Sequence, residues 1–122
     1  MSKKLTIQDL IAQKEKLLNK KLKKEVLFIK SFDGEITITA PSSSLILEAQ
    51  DLGEDDPTRA DVYMVYQCMV EPNLKDQKLQ EAFDCVEPMD VVEEIFLPGE
   101  IASIASKIMG LGGFGDSVTI KN

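Results

Sequence analysis

The sequence has no histidine and no tryptophan, and it holds only two cysteines, two tyrosines and five phenylalanines in 122 residues. Each shortage removes a class of chemistry. Without histidine the commonest general base is missing, as is the usual activator of a serine or cysteine nucleophile. Cys68 and Cys85 cannot supply a four-ligand zinc site by themselves. Both sit among apolar residues, where a free thiol behaves as a small hydrophobe, and a reducing compartment disfavours a disulfide between them. No apolar run approaches the ~20 residues that span a bilayer. The start, "MSKKLTIQDL", turns polar too early for a secretory leader. These absences predict a cytoplasmic protein with no catalytic residue, no metal, no cofactor and no membrane contact.

What is present is a globular composition, 43% hydrophobic and 29% charged, with charge unevenly spread. Residues 1–30 hold nine lysines against Asp9, Glu15 and Glu25, a net of +6. Residues 31–122 hold five basic and eighteen acidic side chains, a net of −13. An acidic body of this kind repels a phosphate backbone, so no nucleic-acid partner is expected. The length suits a single domain over residues 1–122, with a basic N-terminal helix in 1–24 that can project from a hairpin-plus-helix body in 25–122.

Thr6 and Asp9 have the spacing of a capping box, and Ile7, Leu10, Ile11, Leu17, Leu18 and Leu22 follow at helical intervals. They predict one long amphipathic helix studded with lysine. Lys14 falls inside its apolar stripe, which a helix committed to its own core would not tolerate. Leu10, Ile11, Leu17, Leu18 and Leu22 are therefore the candidate partner-binding residues.

In "VLFIKSFDGEITITA", Asp33-Gly34 lies between two apolar-rich runs and predicts a hairpin with a two-residue turn. That register sets Ser31 opposite Ile36 and Ile29 opposite Ile38, with Leu27, Ile29, Ile36 and Ile38 on one buried face. Further on, "PSSSLILEAQDLG" reads as a short helix and "EDDPTR" as an exposed loop. "ADVYMVYQCMV" reads as a helix ended by Pro72, with Val62, Val65, Tyr66 and Met69 inward. Three shorter helical patterns follow, the last ending in "GLGGFG". The fold class predicted is α+β, one β-hairpin packed against several short α-helices, with the long basic helix in front.

"GLGGFG" spells G-x-G-x-x-G, yet it follows a helix instead of a strand, and only "DSVTIKN" remains after it. It reads as a glycine-rich helix stop. The pairs Asp55–Asp56 and Glu93–Glu94 have no companion ligand at useful spacing and read as solvated surface.

The stretch beginning "VYQCMVEPNLKDQ" at Val65, the echo "CVEP" at Cys85 and the closing "LPGEIASIASKIMGLGGFG" together resemble the XkdN-like tail assembly chaperones of tailed phages and defective prophages. The N-terminal half agrees more loosely, through a Lys-rich helix, an Asp-Gly hairpin and "SLILEAQDL". The resemblance implies a non-enzymatic protein that coats the tape measure protein and helps recruit tail-tube subunits during tail assembly. It also implies residence in the host cytoplasm, absence from the finished virion, and in many members a second, frameshifted form. Self-association is a further expected interaction. Two other classes stay open on the residues alone. One is a small virion structural protein, such as a tail-tube or tail-completion subunit; the other is a regulator that binds nucleic acid through the lysine helix.

Overall fold

The computed structural model describes residues 3–20 and 23–115. Its first feature is the capping box foreseen at Thr6. The Thr6 hydroxyl accepts from the Asp9 N–H at 3.1 Å, and the Asp9 carboxylate accepts from the Thr6 N–H at 3.0 Å. Helix α1, Ile7–Ala12, starts there and stops at Gln13, whose ψ of 17° leaves the helical range. Helix α2, Lys14–Lys20, follows. The single long basic helix is thus corrected to two short ones. The reason is physical: α1 buries no residue, and a helix without a packed face is marginal at this length. The lysines crowded into residues 14–24 of the sequence also disfavour one continuous helix, since like charges at i,i+4 spacing repel.

Strands β1, Lys24–Ile29, and β2, Gly34–Thr39, form the expected antiparallel hairpin, but with a different turn. Ile36 faces Leu27, and Ile29 faces Gly34. Lys30–Phe32 form a turn of 3-10 helix, and Asp33 closes it in the left-handed region at φ 50°. The two-residue turn and its register are therefore overturned. The displacement is even, so the pleat still sends Ile29, Ile36 and Ile38 to one face, where all three are buried. The longer loop is held from outside: Phe32 packs edge-on against Phe96, with ring centroids 5.9 Å apart, and Ser31 bonds Glu100.

Ser42 caps α3, Ser43–Gly53, by accepting from the Leu45 N–H. Asp56 caps α4, Pro57–Cys68, with Pro57 at its first position. "EDDPTR" is consequently not a loop throughout. Its last three residues open the helix, because a capping aspartate followed by proline is preorganised to start one. After Cys68 the chain forms a third strand that sequence periodicity did not reveal. Strand β3, Met69–Glu71, pairs antiparallel with β2, giving the order β1-β2-β3. Asp76 caps α5, Gln77–Phe83. Helices α6, Val91–Ile95, and α7, Pro98–Leu111, are the last among the described residues.

The core lies between one face of the hairpin and three helices. Ile38, Val62, Val65, Val91, Val92 and Ile108 are almost wholly buried at its centre, with Ile101, Ile104 and Ala105 beside them. Val62 and Val65 are positions that the helical pattern assigned inward, and Ile38 is one that strand alternation did. No polar or charged residue is buried among the described residues. Helix α7 ends in a Schellman motif, with the Gly113 N–H donating to Gly110 O at 3.0 Å and the Phe114 N–H to Met109 O at 3.2 Å. Gly113, at φ 90°, takes the left-handed position. The glycine string is a helix stop, as its context required.

Candidate docking surfaces

The arm formed by α1 and α2 shows its apolar side chains to solvent. Leu5, Ile7, Leu10, Ile11 and Leu18 are exposed, Ile7 by 71% and Ile11 by 64%. Leu17 is half-buried. Of the five residues singled out from the sequence, Leu10, Ile11, Leu17 and Leu18 thus lie on this arm, and Leu22 lies outside the described residues. Lys3 reaches Asp9 at 3.2 Å, and the capping bonds from Thr6 hold the Asp9 carboxyl below its ordinary range. Lys14 is exposed between the two apolar groups. So much uncovered apolar surface on two adjacent short helices is the usual mark of an interaction site.

A second surface runs along β1, the outer strand of the sheet. The Ala40 N–H donates to Lys23 O at 3.1 Å. Alternation along an antiparallel ladder then turns the backbone groups of Lys24, Val26 and Phe28 outward. The Val26 and Phe28 side chains are each 57% exposed on the outer sheet face. Beside them a groove of about 560 Å³ separates β1 from α7, lined by Leu27, Phe28, Leu97 and Ile104 with Lys30 and Lys107. Glu100 also lines it and is held in place. Its carboxylate accepts from Ser31 Oγ at 2.5 Å and from the Leu97 N–H at 2.8 Å. The bond from Ser31 contributes most to lowering its pKa. Sequence reasoning missed this groove, whose walls are far apart in the chain. The available signal was the run Val26-Leu27-Phe28-Ile29, which is apolar on both faces where a half-buried strand needs only one.

A third, smaller hollow of about 250 Å³ lies between α3, α4 and α7, lined by Ala49, Ala60, Met64, Ala105 and Met109 together with Gln50, Asp61 and Ser106. Burial pushes the Asp61 pKa up.

The residues considered for chemistry are dispersed. Cys68 is buried, and desolvation raises its thiol to about 11. Cys85 is half-buried; burial first, then Glu94, Asp90 and Asp84, raise its pKa as well. Asp56 caps α4. Glu93 joins Glu87 and Asp90 around the Arg59 guanidinium, at 2.9, 3.1 and 2.8 Å respectively. Tyr63 donates to Glu48. Among the described residues no group of three or more His, Cys, Asp or Glu side chains is arranged to hold a metal ion, and no helix is long and apolar enough to cross a membrane.

The described residues form an α+β fold, a three-stranded antiparallel sheet with several helices, and expose apolar side chains on the arm and along β1. Residues 3–120 match the family described as phage XkdN-like tail assembly chaperone protein, and the chain belongs to that family. The fold is also that of the crystal structure of the protein yqbn, with a TM-score of 0.63 and 20% identity over 77% of this chain and 87% of that one. At this identity the likeness concerns the fold alone. No curated protein matches the chain.

Proposed function

We propose that this tail assembly chaperone binds the tape measure protein of its phage and helps recruit tail-tube subunits to it. It does so without catalysis, in the host cytoplasm, and is left out of the finished particle. The observation that carries the reading is the set of exposed apolar side chains on the arm, Leu5 just before α1, Ile7, Leu10 and Ile11 on α1 and Leu18 on α2, with no residue of α1 buried. A long helical client is recognised by laying one amphipathic helix against another, with apolar anchors three and four residues apart. Burying each such leucine or isoleucine is worth roughly 1.5–3 kcal/mol, so four anchors can hold a client that the surrounding lysines first attract. The test is co-expression with the cognate tape measure protein and affinity capture. Ile11→Asp combined with Leu18→Asp should lose the client while the circular dichroism spectrum and melting temperature stay those of the wild type. Undiminished capture would remove the arm from the reading. Mass spectrometry of purified particles supplies the second arm of the test, because a virion subunit would be found there in stoichiometric amount.

A further inference from the structure

Lys14 and Asp61 present the same unusual arrangement with opposite sign. Lys14 is exposed at the start of α2, after Leu10 and Ile11 of α1 and the break at Gln13, with Leu17 and Leu18 three and four residues further along its own helix. Asp61 stands half-buried in the hollow between α3, α4 and α7, whose lining is mostly apolar, Ala49, Ala60, Met64, Ala105 and Met109 among them, with Gln50 and Ser106 as its other polar members. Neither residue has an ion-pair partner among the described residues; the lysine and arginine pairs there are those of Lys3 and Arg59. The alanines let a helix approach closely, and the two methionines adapt to what approaches. A carboxylate set among apolar groups is costly until a cation reaches it.

We propose that Lys14 of one copy seats against Asp61 in the α3–α4–α7 hollow of a second copy, so that two chains exchange arms in a reciprocal dimer. The occupant is a second copy because the complementary charge is in the same chain. Residues 1–30 carry +6 and the remainder −13, so the arm of one molecule is drawn to the body of another. The contact is also self-complementary. Each chain offers one arm and one hollow, and a two-fold axis satisfies both pairs and closes the assembly. Leucines flanking Lys14 lie against the alanine and methionine walls, which covers apolar surface left open in the single chain. This inference concerns the free protein and does not depend on what the arm binds afterwards.

The test is sedimentation equilibrium of the full chain from about 1 to about 200 μM, a range that spans moderate affinities. The wild type should pass from monomer to dimer. Lys14→Glu alone, at an exposed position, should weaken dimerisation at least tenfold, and Asp61→Lys should do the same. An equimolar mixture of the two variants should dimerise again. In the mixed dimer the native lysine meets the native aspartate at one contact, and the introduced glutamate meets the introduced lysine at the other. The double variant should likewise recover. A wild type that stays monomeric, single variants that dimerise undiminished, or a mixture that remains monomeric would each overturn the proposal. So would an arm contact independent of concentration, since that places the arm on its own body.

Discussion

Ser31, at the tip of the hairpin, donates a 2.5 Å hydrogen bond from Oγ to Oε2 of Glu100, in the first turn of α7. The other carboxylate oxygen of Glu100 accepts the Leu97 N–H at 2.8 Å. One side chain therefore caps a helix and fastens the loop before β2 to it.

This relationship gives a stability that depends on pH with a definite sign. The bond from Ser31 and then the Leu97 N–H hold the Glu100 carboxyl below its ordinary range. A carboxylate depressed in the folded state stabilises above its unfolded pKa, and that contribution disappears as pH falls through the folded value. Ser31→Ala and Glu100→Gln should both lower the melting temperature at neutral pH. The gap to wild type should close once the pH is well below the glutamate range. A gap that persists in acid would mean that the loop, not the carboxylate, is the stabilising element.

The hairpin gives a contrast between neighbouring residues. Ile38 is fully buried, and Thr37 lies on the opposite, half-buried face. Ile38→Ala should cost ~2–5 kcal/mol in denaturant unfolding, and Thr37→Ala far less. Similar losses at both would contradict the observed pleat.

The hairpin also shows what was readable in the sequence. The buried face followed from period-two alternation, and an even register displacement preserved it. The turn did not follow, because Phe32 against Phe96 and Ser31 against Glu100 are tertiary contacts that override the Asp-Gly preference. Caps at Thr6 and Ser42 and the glycine stop after α7 were legible because each is settled within a few residues. Strand β3 was not, since three residues after a helix become a strand only by pairing with β2. Of the arm's apolar residues, Leu10, Ile11 and Leu18 are exposed, but the break at Gln13 divides the expected stripe and Leu17 is half-buried. The β1–α7 groove and the hollow around Asp61 exist only once distant helices meet.

The two thiols should differ in reactivity. Cys68 is buried with its pKa raised to about 11, whereas Cys85 is half-buried and is disfavoured as a thiolate by burial and by Glu94, Asp90 and Asp84. A disulfide reagent at mildly alkaline pH should modify Cys85 slowly and Cys68 only as the protein unfolds. Peptide mapping after partial labelling reads the order directly, and fast native labelling of Cys68 would contradict its burial.

Arg59 holds three carboxylates at once, from Glu87, Asp90 and Glu93, with its own side chain 23% exposed. A single exposed pair is worth roughly 0–1 kcal/mol, but deleting this cation leaves three like charges facing one another. Arg59→Ala should therefore lower the melting temperature more than Arg59→Lys, whose point charge cannot fork between two of them. Added salt should shrink the alanine deficit by screening the carboxylates. Equal melting temperatures for the two variants would show that the network contributes little.

The final prediction separates steering from holding on the arm. Lys4 and Lys16 are exposed near the apolar face, while Ile11 and Leu18 are its exposed anchors. Charges at a rim act mainly on the rate of encounter, and that rate falls with ionic strength; buried apolar groups act mainly on dissociation. With the tape measure protein immobilised, Lys4→Gln combined with Lys16→Gln should slow association and flatten its salt dependence, leaving the dissociation rate close to wild type. Ile11→Ala should do the reverse, with near-normal association and faster dissociation. Neither substitution replaces Lys14, the residue placed at the contact between copies. If the lysine variant instead dissociates faster at unchanged association rate, the lysines lie inside the contact and the leucine stripe is not its centre.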